Sequence, residues 1–498
     1  MSQSSKKISP VYDVAIVSPL EKAEKISKVV GCDTYLKRED LQNVHSFKIR
    51  GAYNKIASLS EKQLQAGVIT ASAGNHAQGV ALSAKKLKLK AIVVMPLTTP
   101  QIKIDAVKAY GAKVVLHGDS FSDCYEHSVS IARETGMTFV HPFDDEKVIE
   151  GQGTIAFEIL EQLEGVTHVF IPVGGGGLLA GISQVLKEAK KSITVIGVEP
   201  QDANAMQASL KAEKIITLEH VGIFADGVAV KTVGKKTFAI VSEYVDRVIT
   251  VDNDEICAAI KLIFEDTRNI CEPAGALAVA GAKNYFDKHP TKLEDSKVVC
   301  INSGSNITFE RLQFVAERTL IGAKSESLFA ITLPEKPGAL KALYKKVIHG
   351  YSITEFSYRL TSRDRADIFI GLLTGDKEKK DVVLKRLEEN DFEYIDLSHD
   401  EYAKEHVRFM IGGKSNETQN ERIYAFNFPE RPGALKELLE AIHNKFNISL
   451  FHYRGQGGDV GSVLIGFEAQ DADELEEALL ETGYFHKLVK SKSISTFL

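Results

Sequence analysis

The chain has 498 residues, 44% of them hydrophobic and 26% charged, with five cysteines and a formal net charge of −6. This composition excludes a wholly disordered chain, and the acidic balance argues against nucleic acid or an anionic membrane as a partner. The scattered cysteines and the absence of any run of about 18 apolar residues argue against a disulfide framework, a zinc site and a membrane-spanning helix. We therefore expect a cytoplasmic protein of about three domains.

Lys48 stands out in the first motif, where a short strand runs into a charged loop and then a helix (residues 36–52). Ser46 is a typical N-cap residue, which places Lys48 in the first helical turn. The helix dipole disfavours a cation there, so the position suits an amine that loses its proton and attacks a carbonyl carbon. The alternative interpretation is a solvated lysine, which most lysines are.

A second motif, residues 70–80, places small residues before Asn75 at a predicted helix start. The free backbone N–H groups at such a start suit a carboxylate, and the Asn75 amide suits a phenolate-like oxygen. The alternative is that Asn75 only caps the helix. We expect the neighbouring His76, and also Cys271, to be structural. The residues expected to face the carboxylate are Ser72, Ala73, Gly74 and Asn75.

Apolar runs alternate with helix-length segments through the first two thirds of the chain. Such alternation is typical of βαβ units around a buried, mostly parallel sheet, whose ligands bind at the carboxyl ends of the strands. The predicted strands are residues 91–95, 113–116, 167–173, 194–198 and 297–301, and the predicted helices include 101–110 and 178–189.

Two turns that follow predicted strands carry further candidates. Four consecutive glycines aim successive N–H groups at one point, and the next helix adds its dipole, so this turn suits a phosphate. The spacing departs from both common nucleotide-binding patterns, which favours a small phosphate ester. The Ser303 hydroxyl, after the last strand, suits a ring nitrogen. For both turns the alternative is an ordinary loop. The glycines are Gly174, Gly175, Gly176 and Gly177.

The last third of the chain repeats itself. Residues 328–341 return as 423–436 at a constant offset of 95 residues, and the register holds as far as residue 359. Each copy reads as a small βαββαβ unit of α+β type. The polar, glycine-containing stretch 412–421 is predicted to join the two copies.

The four motifs, in this order, resemble those of the fold-type II pyridoxal-phosphate enzymes and, within them, the threonine dehydratases. The two repeats resemble the paired ACT-like regulatory domains of the biosynthetic, isoleucine-inhibited members. The resemblance implies an α/β catalytic domain with mostly parallel sheets at residues 1–323. It implies two α+β ACT-like domains at residues 327–400 and 421–494.

The resemblance also implies roles for particular residues. Lys48 would form the Schiff base with pyridoxal 5'-phosphate and act as the base, and Asn75 would contact the 3′-oxygen. Ser303 would contact the pyridine nitrogen. The loop Phe224-Ala-Asp-Gly227 is similar to a cation loop of some relatives, but the expected earlier acidic residue is missing, so we expect no metal. The phosphate cup would consist of Gly174, Gly175, Gly176, Gly177 and the amide of Leu178.

The implied reaction is deamination of L-threonine, and of L-serine, to a 2-oxoacid and ammonia at the start of isoleucine biosynthesis. L-isoleucine, or L-valine, would be the effector, and the enzyme would be a homotetramer. One alternative is a β-replacement enzyme such as a cysteine synthase, although those enzymes carry Thr-Ser-Gly-Asn-Thr-Gly where this chain has a different sequence at residues 71–76. The other alternative is an amino-acid sensor without catalysis.

Four residues at equivalent strand ends of the two repeats are candidates for effector binding. Aromatic hydroxyls and guanidinium groups suit a small amino acid and its carboxylate. Each tyrosine follows an apolar residue by two positions, Phe356 or Phe451. The alternative is that both phenylalanines are core residues and the tyrosines merely cover them. The candidates are Tyr358, Arg359, Tyr453 and Arg454.

Overall fold

The computed structural model describes residues 9–290, 296–334, 339–360, 365–407, 420–429, 437–438, 446–454 and 460–491. The chain divides into two compact units, Met1–Arg311 and Leu312–Leu498. No helix among these residues is long and apolar enough to cross a membrane. The three domain boundaries expected from the sequence stay predictions.

The first unit contains two sheets. Its strands are β1 (Leu20–Lys22), β2 (Asp33–Arg38), β3 (Val68–Ala71), β4 (Ala91–Met95), β5 (Lys113–Leu116), β6 (Thr138–Phe139), β7 (His168–Pro172), β8 (Thr194–Pro200), β9 (Arg247–Val251) and β10 (Lys297–Asn302). The larger sheet has the order β1-β2-β10-β7-β8-β9 and the smaller one β5-β4-β3-β6. All neighbours run parallel except β1 and β2. The predicted, mostly parallel α/β fold is confirmed.

Helices follow most of these strands and cover both sheets. They are α1 (Glu24–Val30), α2 (Lys48–Ala57), α3 (Glu61–Ala66), α4 (Asn75–Leu87), α5 (Gln101–Ala109), α6 (Phe121–Thr135), α7 (Glu146–Gln162), α8 (Gly177–Ala189), α9 (Ala205–Lys211), α10 (Lys235–Tyr244), α11 (Asn253–Thr267) and α12 (Pro273–Lys288). Val169 and Ile301 of the larger sheet pack with Ile155 and Leu179 of α7 and α8. A separate core joins the smaller sheet to α4. Continuous burial of β7 explains its uninterrupted apolar run.

A buried group of charges anchors α2. Arg50 donates to Glu39 over 2.8 and 2.7 Å and to Glu158 over 2.6 Å, and Lys37 donates to Glu158 over 2.6 Å. All four side chains are fully buried. The two positive and two negative charges balance. These buried ion pairs fix α2, the helix that begins at Lys48.

The second unit contains two four-stranded antiparallel sheets with equivalent orders, β12-β13-β11-β14 and β16-β17-β15-β18. The strands are β11 (Glu326–Pro334), β12 (Ser352–Leu360), β13 (Arg365–Leu373), β14 (Glu393–Asp396), β15 (Glu421–Pro429), β16 (Asn447–Arg454), β17 (Val460–Glu468) and β18 (His486–Leu488). The helices are α13 (Arg311–Gly322), α14 (Ala339–Leu343), α15 (Lys377–Glu389), α16 (Glu401–Glu405) and α17 (Ala472–Glu481).

The duplication seen in the sequence extends to an irregularity in the backbone. The pairing of β12 with β13 shifts between Ile353 and Glu355, and that of β16 with β17 shifts between Ile448 and Leu450. These positions are related by the same offset of 95 residues. Most of the predicted joint at 412–421 and most of the residues predicted to form the first helix of the second copy lie outside the described residues.

Candidate active site

Lys48 is the first residue of α2, as expected, but the predicted cap is wrong. The N-cap residue is Phe47, not Ser46. Ser46 instead forms an antiparallel bridge with Gly304. Its hydroxyl is buried without a hydrogen-bond partner among the described residues. The helix start is therefore set by pairing with a distant loop, which overrides the local capping preference.

The Lys48 amine lies in a site that favours its neutral form. Nζ donates a hydrogen bond to the backbone carbonyl of Pro142 over 3.0 Å. Burial lowers the pKa of the amine to about 8, with the nearby Glu272 acting in the opposite direction. About a tenth of this amine is therefore uncharged at pH 7, far more than for an ordinary lysine, and the neutral form is the one that a nucleophilic or basic lysine requires.

Ser303 is brought to the start of α2 by backbone hydrogen bonds. The Phe47 N–H donates to the Ser303 carbonyl over 3.2 Å, and the Ser305 N–H donates to the His45 carbonyl over 2.9 Å. Ser303 is only 3% exposed. Within the part of the chain that is described, the polar atoms of the neighbouring Asn302 side chain are buried without a hydrogen-bond partner. The start of α2 and the Ser303 loop, which are far apart in the sequence, therefore lie side by side in the site.

Asn75 starts α4, and its side chain is held from two sides. Nδ2 donates to Glu272 Oε1 over 2.6 Å, and Oδ1 accepts from Asn306 Nδ2 over 2.6 Å. The preceding Gly74 faces open space, because a Cβ added there meets no atom within 4 Å. The loop from Ser72 to Asn75 therefore leaves room for a ligand beside the N-terminus of α4.

The four glycines form a tight cradle between β7 and α8. Gly176 has φ +93°, a left-handed conformation that favours glycine. A Cβ at Gly175 would lie 2.3 Å from the Phe143 ring. The Gly175 carbonyl accepts a hydrogen bond from Thr237 Oγ1 over 2.7 Å. Phe143 and Thr237 therefore pack against the turn. Helix α8 begins at the end of the turn, with Leu178 in its first helical turn.

The segment from Val140 to Asp144 connects these motifs, and the sequence analysis missed it. Pro142 contacts Lys48, and the Phe143 ring packs on the glycine turn. Asp144 accepts hydrogen bonds from backbone N–H groups at the start of α10. Nothing in the local sequence marks these contacts, since each of them joins residues that are distant along the chain.

Glu272, the second residue that was missed, is the N-cap residue of α12 and is 5% exposed. Burial, and next the charge of Asp226, raise the pKa of this carboxyl to about 7. The sequence does mark Glu272 in one way, because it is a glutamate directly before a proline at a helix start.

His76 and Cys271 are placed as structural residues. His76 Nε2 lies 3.0 Å from the Val140 carbonyl oxygen, and because a carbonyl only accepts, this nitrogen carries the proton. Burial lowers the pKa of His76 to about 3, so the ring is neutral. Cys271 is buried, and burial raises the pKa of its thiol.

Cationic side chains contact the Phe224–Gly227 loop. Lys103 Nζ lies 2.8 Å from Asp226 Oδ2, and Arg311 donates to the carbonyl of Ile223 over 3.0 Å. Among the described residues, no group of three or more His, Cys, Asp or Glu side chains is arranged to hold a metal ion.

The structure leaves the effector-binding prediction untested. The backbones of Tyr358 and Tyr453 occupy equivalent edge positions, opposite Ile368 and Val463. The side chains of Tyr358, Arg359, Tyr453 and Arg454 lie outside the described part of the chain. Phe356 is 40% exposed and Phe451 42% exposed, so the alternative that both are core residues is wrong.

The site has the chemistry that pyridoxal phosphate requires. It combines an amine with a lowered pKa, a glycine cradle at a helix start and the buried Ser303, next to an Asn302 side chain that has no hydrogen-bond partner among the described residues. Residues 12–304 match the family described as pyridoxal-phosphate dependent enzymes. Residues 317–407 and 412–498 match the C-terminal regulatory domain of threonine dehydratase. The chain belongs to the threonine dehydratase family. It is a threonine ammonia-lyase, and its cofactor is pyridoxal 5'-phosphate.

Relatives from this family match over almost their whole length. The biosynthetic L-threonine dehydratase of Burkholderia multivorans is 48% identical over 95% of this chain and 94% of that protein. The Escherichia coli enzyme is 46% identical over 96% of this chain and 92% of its own. These matches to threonine dehydratases decide against the cysteine synthase and sensor alternatives.

Solved structures match a little under two thirds of the chain. Threonine deaminase isoform 2 from Solanum lycopersicum, in its processed form, is 50% identical with a TM-score of 0.61, covering 63% of this chain and 91% of that one. Maize serine racemase is 33% identical with a TM-score of 0.60, covering 64% of this chain and 96% of its own.

Proposed function

We propose that the enzyme converts L-threonine to 2-oxobutanoate and ammonia as the first step of isoleucine biosynthesis, and that it also accepts L-serine. The observation that carries this proposal is the Lys48 amine, whose pKa is lowered to about 8 and which is linked through Pro142 and Phe143 to the glycine turn. The names of the relatives, which are biosynthetic threonine dehydratases, support the substrate.

Each site residue receives a role in this proposal. Bound pyridoxal phosphate supplies a conjugated, electron-withdrawing ring that acidifies the Cα–H of an attached amino acid. Lys48 Nζ is the covalent anchor and the base that removes the Cα proton. Ser303 gives the pyridine nitrogen a neutral hydroxyl partner. Because a hydroxyl does not enforce protonation of that nitrogen, it favours prompt elimination over racemisation.

Backbone groups bind the charged parts of cofactor and substrate. The N–H groups at the start of α8 bind the phosphate, from Gly174 through Gly177 and Leu178. The loop of Ser72, Ala73, Gly74 and Asn75 binds the substrate carboxylate at the start of α4, and the Asn75 amide also contacts the 3′-oxygen. The open space at Gly74 and the cradle at Gly175 support these assignments.

The second unit is proposed to be the effector-binding part. L-isoleucine, or L-valine, would bind at Tyr358, Arg359, Tyr453 and Arg454 and inhibit the enzyme. The match of this unit to a regulatory domain and the equivalent positions of both tyrosines in the two sheets support the idea. A homotetramer and a cytoplasmic location stay predictions.

The test is to follow 2-oxoacid formation by the purified full-length enzyme. We expect turnover of L-threonine, slower turnover of L-serine, and inhibition by L-isoleucine added to the threonine assay. Absence of 2-oxobutanoate would contradict the proposed reaction, and turnover that does not respond to isoleucine would contradict the proposed regulation.

A further inference from the structure

Glu272 lies at the meeting point of several elements of the site. Its backbone N–H donates to the Gly304 carbonyl over 3.1 Å, which fixes the start of α12 against the Ser303 loop. A Cβ on Gly304 would lie 2.5 Å from Glu272 Oε1, so the glycine makes room for this carboxylate.

The contact between Glu272 and Asn75 decides how the asparagine amide is turned. An ionised carboxylate only accepts hydrogen bonds, so the nitrogen of the amide must face Glu272. The amide oxygen accepts from Asn306 Nδ2, which also lies 2.8 Å from the Val44 carbonyl. The amide nitrogen has two hydrogens and gives one to Glu272, so one N–H remains for a ligand.

We propose that Glu272 is a positioning residue whose ionised carboxylate holds the Asn75 amide with one N–H directed to the cofactor's 3′-oxygen. This inference rests on the proposed function, in which Asn75 contacts that oxygen. Protonation of Glu272 gives it an O–H that donates to the amide oxygen, and the amide then loses its fixed orientation. The contact with the cofactor therefore depends on the charge of Glu272.

The charges around Glu272 place this transition near neutral pH. Burial and the negative charge of Asp226 raise the pKa of Glu272, whereas the Asn75 hydrogen bond and the Lys103 charge lower it, giving about 7. Lys48 faces the same carboxylate from α2. Arg311 acts on Asp226, whose pKa is lowered by Lys103 and Arg311.

The test uses the full-length holoenzyme and the visible absorbance band of its bound cofactor between about pH 6 and about pH 9. The variants are Glu272→Gln, Glu272→Ala and Asn75→Ala. Glu255→Gln is the matched control, because Glu255 also accepts an asparagine amide, from Asn284, over 2.6 Å and has a raised pKa. kcat and KM for L-threonine are measured alongside.

We expect the wild type and Glu255→Gln to show a reversible spectral transition near pH 7. Glu272→Gln keeps the hydrogen bond without the titrating charge, so its spectrum stays constant over this range. Glu272→Ala leaves the amide unanchored and weakens cofactor binding about tenfold, and Asn75→Ala removes the transition. The KM for threonine changes less than kcat in the two Glu272 variants.

A wild-type transition that persists in Glu272→Gln, or a wild type with no transition, would overturn the positioning role. Failure of the proposed function looks different. The wild type would then form no 2-oxobutanoate, or Asn75→Ala would leave the spectrum unchanged, and the latter result would also remove the basis of the role given to Glu272.

Discussion

The Lys48 amine donates a hydrogen bond to the backbone carbonyl of Pro142, 94 residues further along the chain, over 3.0 Å. The next residue, Phe143, packs its ring on the glycine turn. One short segment therefore links the amine proposed to carry the cofactor to the turn proposed to hold its phosphate.

Replacing Lys48 with alanine is expected to abolish covalent attachment of the cofactor while the fold is retained. Without the amine, threonine turnover falls by roughly a thousandfold or more. The measurements are the visible absorbance of the cofactor and peptide mapping after borohydride reduction. The control is Lys55→Ala, on the same helix and paired with Asp145. This variant keeps the covalently attached cofactor and the threonine turnover. Mapping of the wild-type cofactor to another lysine would refute the assignment.

Uptake of pyridoxal phosphate by the cofactor-free enzyme is expected to depend on pH. The pKa of Lys48 is lowered to about 8, and only the neutral amine attacks the aldehyde. The rate of uptake therefore rises with pH and levels off above about pH 8. Glu272→Gln removes a negative charge that raises this pKa, so its profile shifts to lower pH. Rapid-mixing absorbance measures the rate of uptake in the wild type and the variant. An unshifted profile in Glu272→Gln would contradict the effect of Glu272 on the pKa of Lys48.

A side chain at Gly175 is expected to impair cofactor binding through the Phe143 ring. The added Cβ would lie 2.3 Å from that ring, so the turn or the ring must move. We expect Gly175→Ala to weaken binding about tenfold and Gly175→Asp to abolish it, since a carboxylate also repels the phosphate. Fluorescence titration with the cofactor measures this. We expect cofactor affinity to recover in Gly175→Ala/Phe143→Ala, where the steric conflict is removed. It does not recover in Gly175→Asp/Phe143→Ala, where the charge repulsion remains. Normal affinity in both single variants would place the cup elsewhere.

Removal of Arg50 is expected to destabilise the first unit strongly. Arg50→Met leaves the fully buried Glu39 and Glu158 without their main partner. Such uncompensated buried charge costs about 3–5 kcal/mol. Chemical denaturation of the holoenzyme measures the change. Lys147→Met, which removes an exposed pair with Glu150, is the control and costs less than about 1 kcal/mol. Equal effects of the two variants would contradict this account.

The tyrosines of the two repeats are expected to matter for inhibition and not for chemistry. Tyr358→Ala and Tyr453→Ala should weaken isoleucine inhibition several-fold or more, as a coupling of ~1–3 kcal/mol implies. The cofactor spectrum stays unchanged. Tyr344→Ala, at a 54% exposed tyrosine of the first repeat, is the control. The full chain is used, because inhibition is measured on the threonine turnover of the intact enzyme. If isoleucine inhibits both variants as strongly as the wild type, the effector does not bind at these tyrosines.

The sequence by itself determined the elements and the duplication. The apolar run 91–95 is the strand β4 with the same bounds, since a strand buried on both faces needs continuous apolar residues. The repeat at 95 residues predicted two equivalent sheets, because similar sequences form the same strands and pair in the same order. The local pattern also placed Lys48 in the first turn of a helix, although it gave the wrong N-cap residue.

Only the tertiary structure decided how these elements form a site. Ser46 is a good N-cap residue, yet pairing with Gly304 shifts the cap to Phe47. Glu272 and Asn75 are 197 residues apart, and no local preference encodes their contact. The pKa values of Lys48 and Glu272 are moved toward neutrality chiefly by burial, which exists only once distant segments have packed around them.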